Sequence, residues 1–420
     1  MEDMVRRSDN VFFTLLLLVL TERFPFTANQ FISIGKLLYL AKLLNRVAII
    51  PTLLPVHFDA LPASFPDFFD IPRFYHETGI PAIEFSAVKA IGVFGTPQNE
   101  GMSCWSTHEL TIGEGNLQAQ SFDVHNIWVD HWALPPMTRG MGGHDVAFDA
   151  LRVFDFDGWA RNEWINKVKM DLLPQKLPDW KGEKQANLKD GFDPLGSAAP
   201  DDQLFCLDNT LFLGPVMFPE AFPGDIPLEP PVPGEGLSWK EAMRYIYFTP
   251  EVESAVDTYL MQLFNVRSPS RIPPFISVHL RRGDFKTFAG LTPLTKYKNA
   301  VDRIMKNLQV RLDDQEAWRG PGKEHFRDFG IKANKYRVLT TTDEPTGSPF
   351  IDEVRALGWY VLDHGALKTA EERGGWWPTI VDAAVLARGQ SFVGTDRSTF
   401  SHLAGLRVKY WRGGLCDLAL

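Results

Sequence analysis

Apolar runs of strand length alternate with stretches of helical apolar spacing from the start of the chain. Residues 11–20 form an apolar run of about ten residues, which is too short to span a bilayer. No small-residue cleavage site follows it, so we expect a buried first strand, with a truncated targeting segment as the alternative. Apolar residues recur at three and four over residues 31–44, which predicts an amphipathic helix. Residues 47–50 then predict a second buried strand, completing a βαβ unit.

The second half of the chain repeats this alternation more strictly. Each predicted strand is a short apolar run, and each predicted helix has apolar positions on one side. The strands are expected at residues 275–280, 336–342, 360–362 and 391–394, and the helices at 250–264, 294–312, 349–357 and 379–388. Such alternation predicts a parallel, doubly wound sheet.

Between these halves the pattern is irregular. Residues 174–203 are rich in Pro, Lys, Asp and Gly, which is typical of an exposed loop. Residues 223–236 contain five prolines in fourteen positions and predict an extended linker. We therefore expect one domain over residues 1–236 and a second over 237–420. Ser238, with Glu241 three residues later, is expected to cap the next helix.

Length, net charge and cysteine spacing limit the classes of function that the chain can have. A length of 420 residues favours two domains. The formal net charge of −9 argues against a nucleic-acid partner, although cations can still gather in a cleft. Cys104, Cys206 and Cys416 show no zinc-binding spacing, and they predict either three thiols or one disulfide with a thiol left over.

Ligands of open α/β sheets bind outside the carboxyl ends of the strands. His279 and Arg281 alternate onto one face at such an end, and Gly283 allows a sharp turn and a close ligand. The guanidinium fork of Arg281 suits a phosphate group. Asp284 could orient Arg281 or His279. The alternative is a surface ion pair between Arg282 and Asp284, with His279 packed in the core.

Three segments in order resemble the GDP-fucose protein O-fucosyltransferase family. Residues 275–285 resemble the first motif of the family. Thr341-Thr342-Asp343 resembles the family's Thr-Asp step, and residues 394–401 resemble its terminal loop. The resemblance implies that Asp343 contacts the guanosine end of the donor. It also implies that Ser398 and Thr399 hold the β-phosphate at a helix start, where anions bind, and that Phe400 packs beside the nucleotide.

The first half also resembles the family, at Asn29-Gln30-Phe31. The family usually has a glycine before this step, whereas here Thr27-Ala28 precedes it. Asn29 is nevertheless assigned to the donor site. Glu22 lies close before Asn29 and is the only candidate base for the acceptor hydroxyl, with a solvated loop carboxylate as its alternative.

The resemblance implies a GT-B fold of two Rossmann-like domains facing a cleft, and an inverting transfer in which Arg281 neutralises the departing GDP. No metal or other cofactor is required. Asp155 and Asp157, and the looser pair Asp67 and Asp70, are expected to be loop carboxylates.

The expected reaction is transfer of fucose from GDP-fucose to a hydroxyl of a protein or glycan acceptor. Two alternatives stay open from sequence: an inert relative that binds a nucleotide or glycan, and a transferase that uses another GDP-sugar. The family implies the secretory lumen of the ER or Golgi, but the sequence shows no clear membrane anchor, so localisation is left open.

Overall fold

The computed structural model describes part of the chain. The described residues are 12–15, 27–44, 46–51, 53, 55, 58, 60–61, 63–84, 87, 100–105, 120–122, 127–132, 204–207, 237–288, 290–314 and 331–420. The predicted loop at 174–203 and the predicted linker at 223–236 lie outside these residues, and the boundary at 236/237 stays a prediction.

The first sheet has seven strands. They are β1 (Phe12–Leu15), β2 (Val47–Ile50), β3 (Ala82–Glu84), β4 (Glu100–Trp105), β5 (Gln120–Phe122), β6 (Ile127–Trp132) and β7 (Leu204–Leu207). Their order is β3-β2-β1-β7-β4-β6-β5, and every pair is parallel except β5 with β6. Residues 12–15 of the apolar run 11–20 form a strand that lies between β2 and β7, so the prediction of a first strand in this run is confirmed.

Four helices belong to the first sheet and to the chain that leads into the second. They are α1 (Thr27–Leu44), α2 (Ile71–Thr78), α3 (Leu237–Glu241) and α4 (Pro250–Leu263). Asp70 caps α2 by accepting the N–H of Arg73 at 3.0 Å, and Asp67 closes a capping box with Ser64. Asp70 lies in the turn before α2, as expected, whereas Asp67 is the last residue of a 3₁₀ helix, Phe65–Asp67, and not a loop residue. Since α3 begins at Leu237, Ser238 lies inside the helix, and the predicted cap at Ser238 is wrong.

The second sheet has five strands, all parallel. They are β8 (Phe275–Leu280), β9 (Arg337–Thr342), β10 (Tyr360–Val361), β11 (Ser391–Thr395) and β12 (Leu415–Ala419), in the order β10-β9-β8-β11-β12. The chain builds outward from β8 through β9 to β10, and then returns to the other side of β8 as β11. The point where the direction reverses lies between β8 and β11, which is where doubly wound sheets bind their ligands.

Helices cover both faces of this sheet. They are α5 (Phe285–Phe288), α6 (Leu294–Asp313), α7 (Pro349–Ala356), α8 (Thr369–Arg373), α9 (Trp377–Arg388) and α10 (Thr399–Arg407), and a π-helix follows at Val408–Arg412. The two faces of β8 alternate: Ile276 packs in a core with Ile304 of α6, whereas Phe275 packs in a core with Val381 of α9. The prediction of an α/β chain with Rossmann-like sheets is therefore confirmed.

The core that contains Phe275 and Val381 also includes residues of helices α1 and α3. Phe31 of α1 and Trp239 of α3 are fully or almost fully buried and belong to the same apolar cluster as Val381 of α9. This packing brings the amino-terminal end of α1 next to α10. Within the described residues, no helix is long and apolar enough to cross a membrane.

Candidate active site

The candidate site lies at the reversal point of the second sheet, after β8 and β11. Both strands are buried along their whole length, so the first accessible side chains come where each strand ends. The segment after β8 carries Arg281, Arg282, Gly283 and Asp284, which we call the clamp. The segment after β11 leads into α10, which begins at Thr399.

Arg281 is held between two carboxylates. Its Nη2 lies 2.6 Å from Oδ1 of Asp284, and its Nη1 lies 2.7 Å from Oδ2 of Asp343. All three side chains are largely buried, at 17–27% exposure. Ion pairs with this burial orient a guanidinium much better than surface pairs do. The structure therefore brings together Arg281, Asp284 and Asp343 as the sequence predicted, and their roles toward a donor stay predictions.

Arg282 does not pair with Asp284 or Asp343, but with a carboxylate that follows β9. Its Nε donates to Oε2 of Glu344 at 2.9 Å, and its guanidinium stacks 3.6 Å from the ring centre of Phe350. The alternative interpretation, a surface pair between Arg282 and Asp284, is therefore wrong. The reason is that Glu344 follows β9, the strand beside β8, and reaches Arg282 from the neighbouring strand end.

Gly283 is required by the close approach of Asp343. A Cβ on Gly283 would lie 2.5 Å from Oδ2 of Asp343, well inside van der Waals contact. The other oxygen of Asp343 accepts the backbone N–H of Arg282 at 2.8 Å. Asp343 thus fastens both the backbone and the guanidinium of the clamp, and only glycine leaves room for it.

His279 is buried, at 4% exposure, and hydrogen-bonded rather than merely packed. Its Nδ1 lies 2.7 Å from Oγ of Ser401, and that Oγ accepts the backbone N–H of Thr395 at 2.9 Å. Burial and the nearby Arg281 lower the pKa of His279 to about 3, so the ring is neutral. A neutral ring carries one proton, so its tautomer decides whether Nδ1 donates to the Ser401 Oγ or accepts the proton of that hydroxyl.

Thr395 ties the two strand ends together, and sequence reasoning did not identify it. Its hydroxyl donates to the carbonyl of His279 at 2.8 Å and accepts the N–H of Arg281 at 2.9 Å. Since its one proton is used, Tyr297 must donate to it, at 2.7 Å. The backbone of the clamp is thereby fixed to β11.

The loop before α10 ends in a helix N-cap. Ser398 caps the helix by accepting the N–H of Ser401 at 3.3 Å, and Arg397 before it has a left-handed φ of 60°. A non-glycine residue in that region is strained, and such strain concentrates at functional sites. The ring of Phe400 lies 4.9 Å from the ring of His279. The predicted residues Ser398, Thr399 and Phe400 therefore stand beside the clamp at the start of one helix.

A second pair near the clamp was not predicted. His364, after β10, places Nε2 2.9 Å from Oδ1 of Asp382 on α9, and its Nδ1 lies 3.0 Å from the hydroxyl of Thr369. Burial raises the pKa of Asp382, and the charge of Asp343 adds to this. Burial alone would lower the pKa of His364, but the Asp382 carboxylate outweighs it and the pKa is raised. No local motif marks these two residues.

The remaining predicted residues are less well placed. Asn29 lies in the first turn of α1, but its side chain is outside the described part of the structure. Glu22, Asp155 and Asp157 lie wholly outside the described residues. Within the described residues, no group of three or more His, Cys, Asp or Glu side chains is arranged to hold a metal. Cys416 is a buried free thiol.

Residues 28–410 match a family model described as GDP-fucose protein O-fucosyltransferase. Among solved structures, the chain is similar to POFUT1 in complex with GDP-fucose, at 12% identity and a TM-score of 0.47, with 98% of each chain covered. It is also similar to NodZ alpha-1,6-fucosyltransferase soaked with GDP-fucose, at 14% identity and a TM-score of 0.34, over 95% of this chain and 93% of that one. No curated protein matches. At these identities and scores, the two structures lend no support to a functional role for any residue.

Proposed function

We propose that this chain, which belongs to the GDP-fucose protein O-fucosyltransferase family, transfers fucose from GDP-fucose to an acceptor hydroxyl with inversion at the anomeric carbon. Family membership makes the chain a glycosyltransferase of the fucosyltransferase type. Inversion at the anomeric carbon and a protein or glycan acceptor are part of the proposal. The observation that supports it best is Arg281, held by two carboxylates at the sheet's reversal point and next to the start of α10.

The clamp supplies what departure of GDP requires. Negative charge builds on the β-phosphate oxygen as the bond to the anomeric carbon breaks, and a preorganised cation stabilises that charge. Arg281 is such a cation, because Asp284 and Asp343 fix its plane before any ligand arrives. The first N–H groups of α10 add a positive helix end, which attracts phosphate.

The guanosine end fits Asp343, which follows β9, and Asp382 on α9, whose partner His364 follows β10. Guanine presents N1–H and an amino group as neighbouring donors, and a carboxylate accepts both. Asp343 bonds the clamp through both of its oxygens, each of which keeps a further lone pair, and Asp382 on α9 is bonded to His364. We therefore assign guanine recognition to Asp382 in addition to the predicted Asp343.

The hydroxyl nucleophile must lose a proton, and Glu22 is our candidate for the base. The secretory lumen is the compartment that the family implies, and it too stays a proposal.

Thermal stability with nucleotides tests the donor assignment. GDP, but not UDP, is expected to raise the melting temperature, and GDP-fucose is expected to be consumed when a suitable acceptor is present. Arg281→Ala should weaken GDP binding by roughly 10- to 100-fold, the value of one charge-assisted hydrogen bond, and should abolish transfer. Lys298→Ala removes an exposed charge from an ion pair with Asp302 on α6 and should change neither. Equal melting shifts with GDP in the Arg281→Ala variant and the unsubstituted protein would refute the role of the clamp.

A further inference from the structure

His364 is held at both of its ring nitrogens, and one of its partners is the carboxylate proposed to bind guanine. It follows β10, and its Nε2 lies 2.9 Å from Oδ1 of Asp382 on α9. Its Nδ1 lies 3.0 Å from the hydroxyl of Thr369, the first residue of α8. The side chains of His364 and Asp382 are largely buried, at 19% and 16% exposure. The ring therefore cannot rotate without giving up both hydrogen bonds in a setting that offers little water in exchange.

The loop that carries His364 is closed by its own hydrogen bonds. Oδ1 of Asp363 accepts the N–H of Ala366 at 3.0 Å, and the carbonyl of His364 accepts the N–H of Thr369 at 3.1 Å. Thr369 is fully buried, and Lys368 before it has a left-handed φ of 51°, which a non-glycine residue adopts only when its surroundings hold it there. The backbone of this loop thus fixes the ring, and the ring in turn fixes the carboxylate.

The carboxylate decides which ring nitrogen carries a proton. An ionised carboxylate only accepts hydrogen bonds, so Nε2 of His364 must be protonated to bond Asp382. In the neutral ring Nδ1 then accepts the hydroxyl proton of Thr369, and in the charged ring Nδ1 donates to that oxygen. In both states Nε2 donates to Oδ1 of Asp382, so this bond does not depend on the charge of His364.

The burial of Asp382 makes its bond with His364 important for a ligand. Burial raises the pKa of Asp382 and the charge of Asp343 raises it further, whereas the charge and the hydrogen bond of His364 lower it. His364 thus favours the ionised carboxylate, which accepts at both oxygens, over the acid, whose proton occupies one of them. The bond uses one of about four acceptor positions on the carboxylate and leaves positions on both oxygens.

We propose that His364 is a positioning residue for guanine: its Nε2 fixes Oδ1 of Asp382 so that the carboxylate meets N1–H and the N2 amino group of the base together. This inference rests on the proposed function, in which Asp382 recognises the base, and His364 acts through that carboxylate. Two donors side by side are met by two oxygens only when the plane of the carboxylate is aligned with the base. His364 therefore determines discrimination between guanine and hypoxanthine, which has N1–H and lacks the amino group.

Calorimetric titration of the whole chain with GDP and with inosine diphosphate tests this role. The unsubstituted protein should bind GDP roughly tenfold or more tightly, because one hydrogen bond to a charged acceptor separates the two ligands. In His364→Leu the ratio of the two affinities should fall to about threefold or less, because an unanchored carboxylate does not meet both donors. His364→Gln carries an amide N–H close to the position of Nε2 and should restore most of the ratio. His76→Leu, the same change at an exposed position of α2, should leave the ratio unaltered.

The ratio distinguishes positioning of Asp382 from general damage to the site. An unchanged ratio in His364→Leu would overturn the proposal even if both affinities fell, and so would a ratio near one in the unsubstituted protein. If His364→Leu does not fold, His364→Asn takes its place, since its shorter amide can bond Thr369 but does not reach Asp382. Lack of GDP binding by the unsubstituted protein would refute the proposed function itself, whereas GDP binding with an unchanged ratio would refute the role of His364 alone.

Discussion

Asp343 joins Arg281 at 2.7 Å across the ends of two neighbouring strands, and the same carboxylate accepts the N–H of Arg282 at 2.8 Å. The clamp is therefore preformed: its backbone and its guanidinium are fixed by one side chain. The clamp contributes the cations Arg281 and Arg282 and the carboxylate Asp284, and the end of β9 contributes the carboxylates Asp343 and Glu344. A preformed cation costs no reorganisation when charge develops in the transition state.

Replacing Gly283 should break this arrangement. In Gly283→Ala the new methyl group would lie 2.5 Å from Oδ2 of Asp343, and the carboxylate would have to move away from Arg281. We expect a loss of about 1–3 kcal/mol in the free energy of unfolding and GDP binding weakened by roughly tenfold or more. Calorimetry measures the binding and urea titration the stability.

Gly347→Ala is the matched control, because nothing lies within 4 Å of a Cβ at that position. It should leave GDP binding unchanged. Normal GDP binding in Gly283→Ala would show that the contact with Asp343 does not shape the site.

The hydroxyl of Ser401 connects Thr395 to His279 within the core. Ser401→Ala leaves a buried N–H and a buried ring nitrogen without partners, and such groups each cost about 1–3 kcal/mol. We expect a lower free energy of unfolding by urea titration, by about 2 kcal/mol or more. Ser348→Ala is the comparison, since the buried hydroxyl of Ser348 has no partner in the described part of the chain. That variant should be stable, and equal losses in the two variants would contradict the role of Ser401.

Burial of His279 predicts a pH dependence of stability. The unfolded chain takes up a proton on this ring below pH 6.5, whereas the folded chain does so only near pH 3. The free energy of unfolding should therefore fall as the pH drops from 6.5 toward 3, by up to about 1.4 kcal/mol per pH unit. His279→Gln removes this term and leaves the other titrating groups in place.

Urea titrations over about pH 7.5 to 5 check the sign. The loss of stability on acidification should be smaller in His279→Gln by about 2 kcal/mol at most. Comparing each protein with itself at two pH values cancels any constant effect of the substitution. Identical pH slopes in the two proteins would mean that His279 is not held neutral.

Asp382 should control selectivity for the base. An amide in Asp382→Asn offers one acceptor oxygen in place of a carboxylate, so we expect GDP affinity to fall by roughly tenfold and the preference for GDP over ADP to shrink. Asp363→Asn tests a neighbouring carboxylate that lies 3.8 Å from Arg355. Calorimetric titration with GDP and with ADP measures the affinity of both variants for the two nucleotides. Unchanged selectivity in Asp382→Asn would place guanine elsewhere.

Much of the second sheet and part of the site followed from sequence alone. The strands β8, β9 and β11 are continuous apolar runs that end in polar segments, and buried parallel strands have this pattern. Arg281, Gly283 and Ser398 were identifiable because each stands immediately after such a run or at a helix start. These signals are local, since a strand, a turn and a cap are each specified within a few residues.

The tertiary structure decided which of those strand ends meet. Asp343 reaches Arg281 because β9 lies beside β8, and Ser401 reaches His279 because β11 lies on the other side. Periodicity of apolar residues fixes the faces of a strand but not its neighbours, because strand order depends on packing between segments far apart in the chain. For the same reason the sequence could not show that Arg407 is buried among aromatic rings. The strand β8 and the turn at Gly283, by contrast, are each determined by residues adjacent in the sequence.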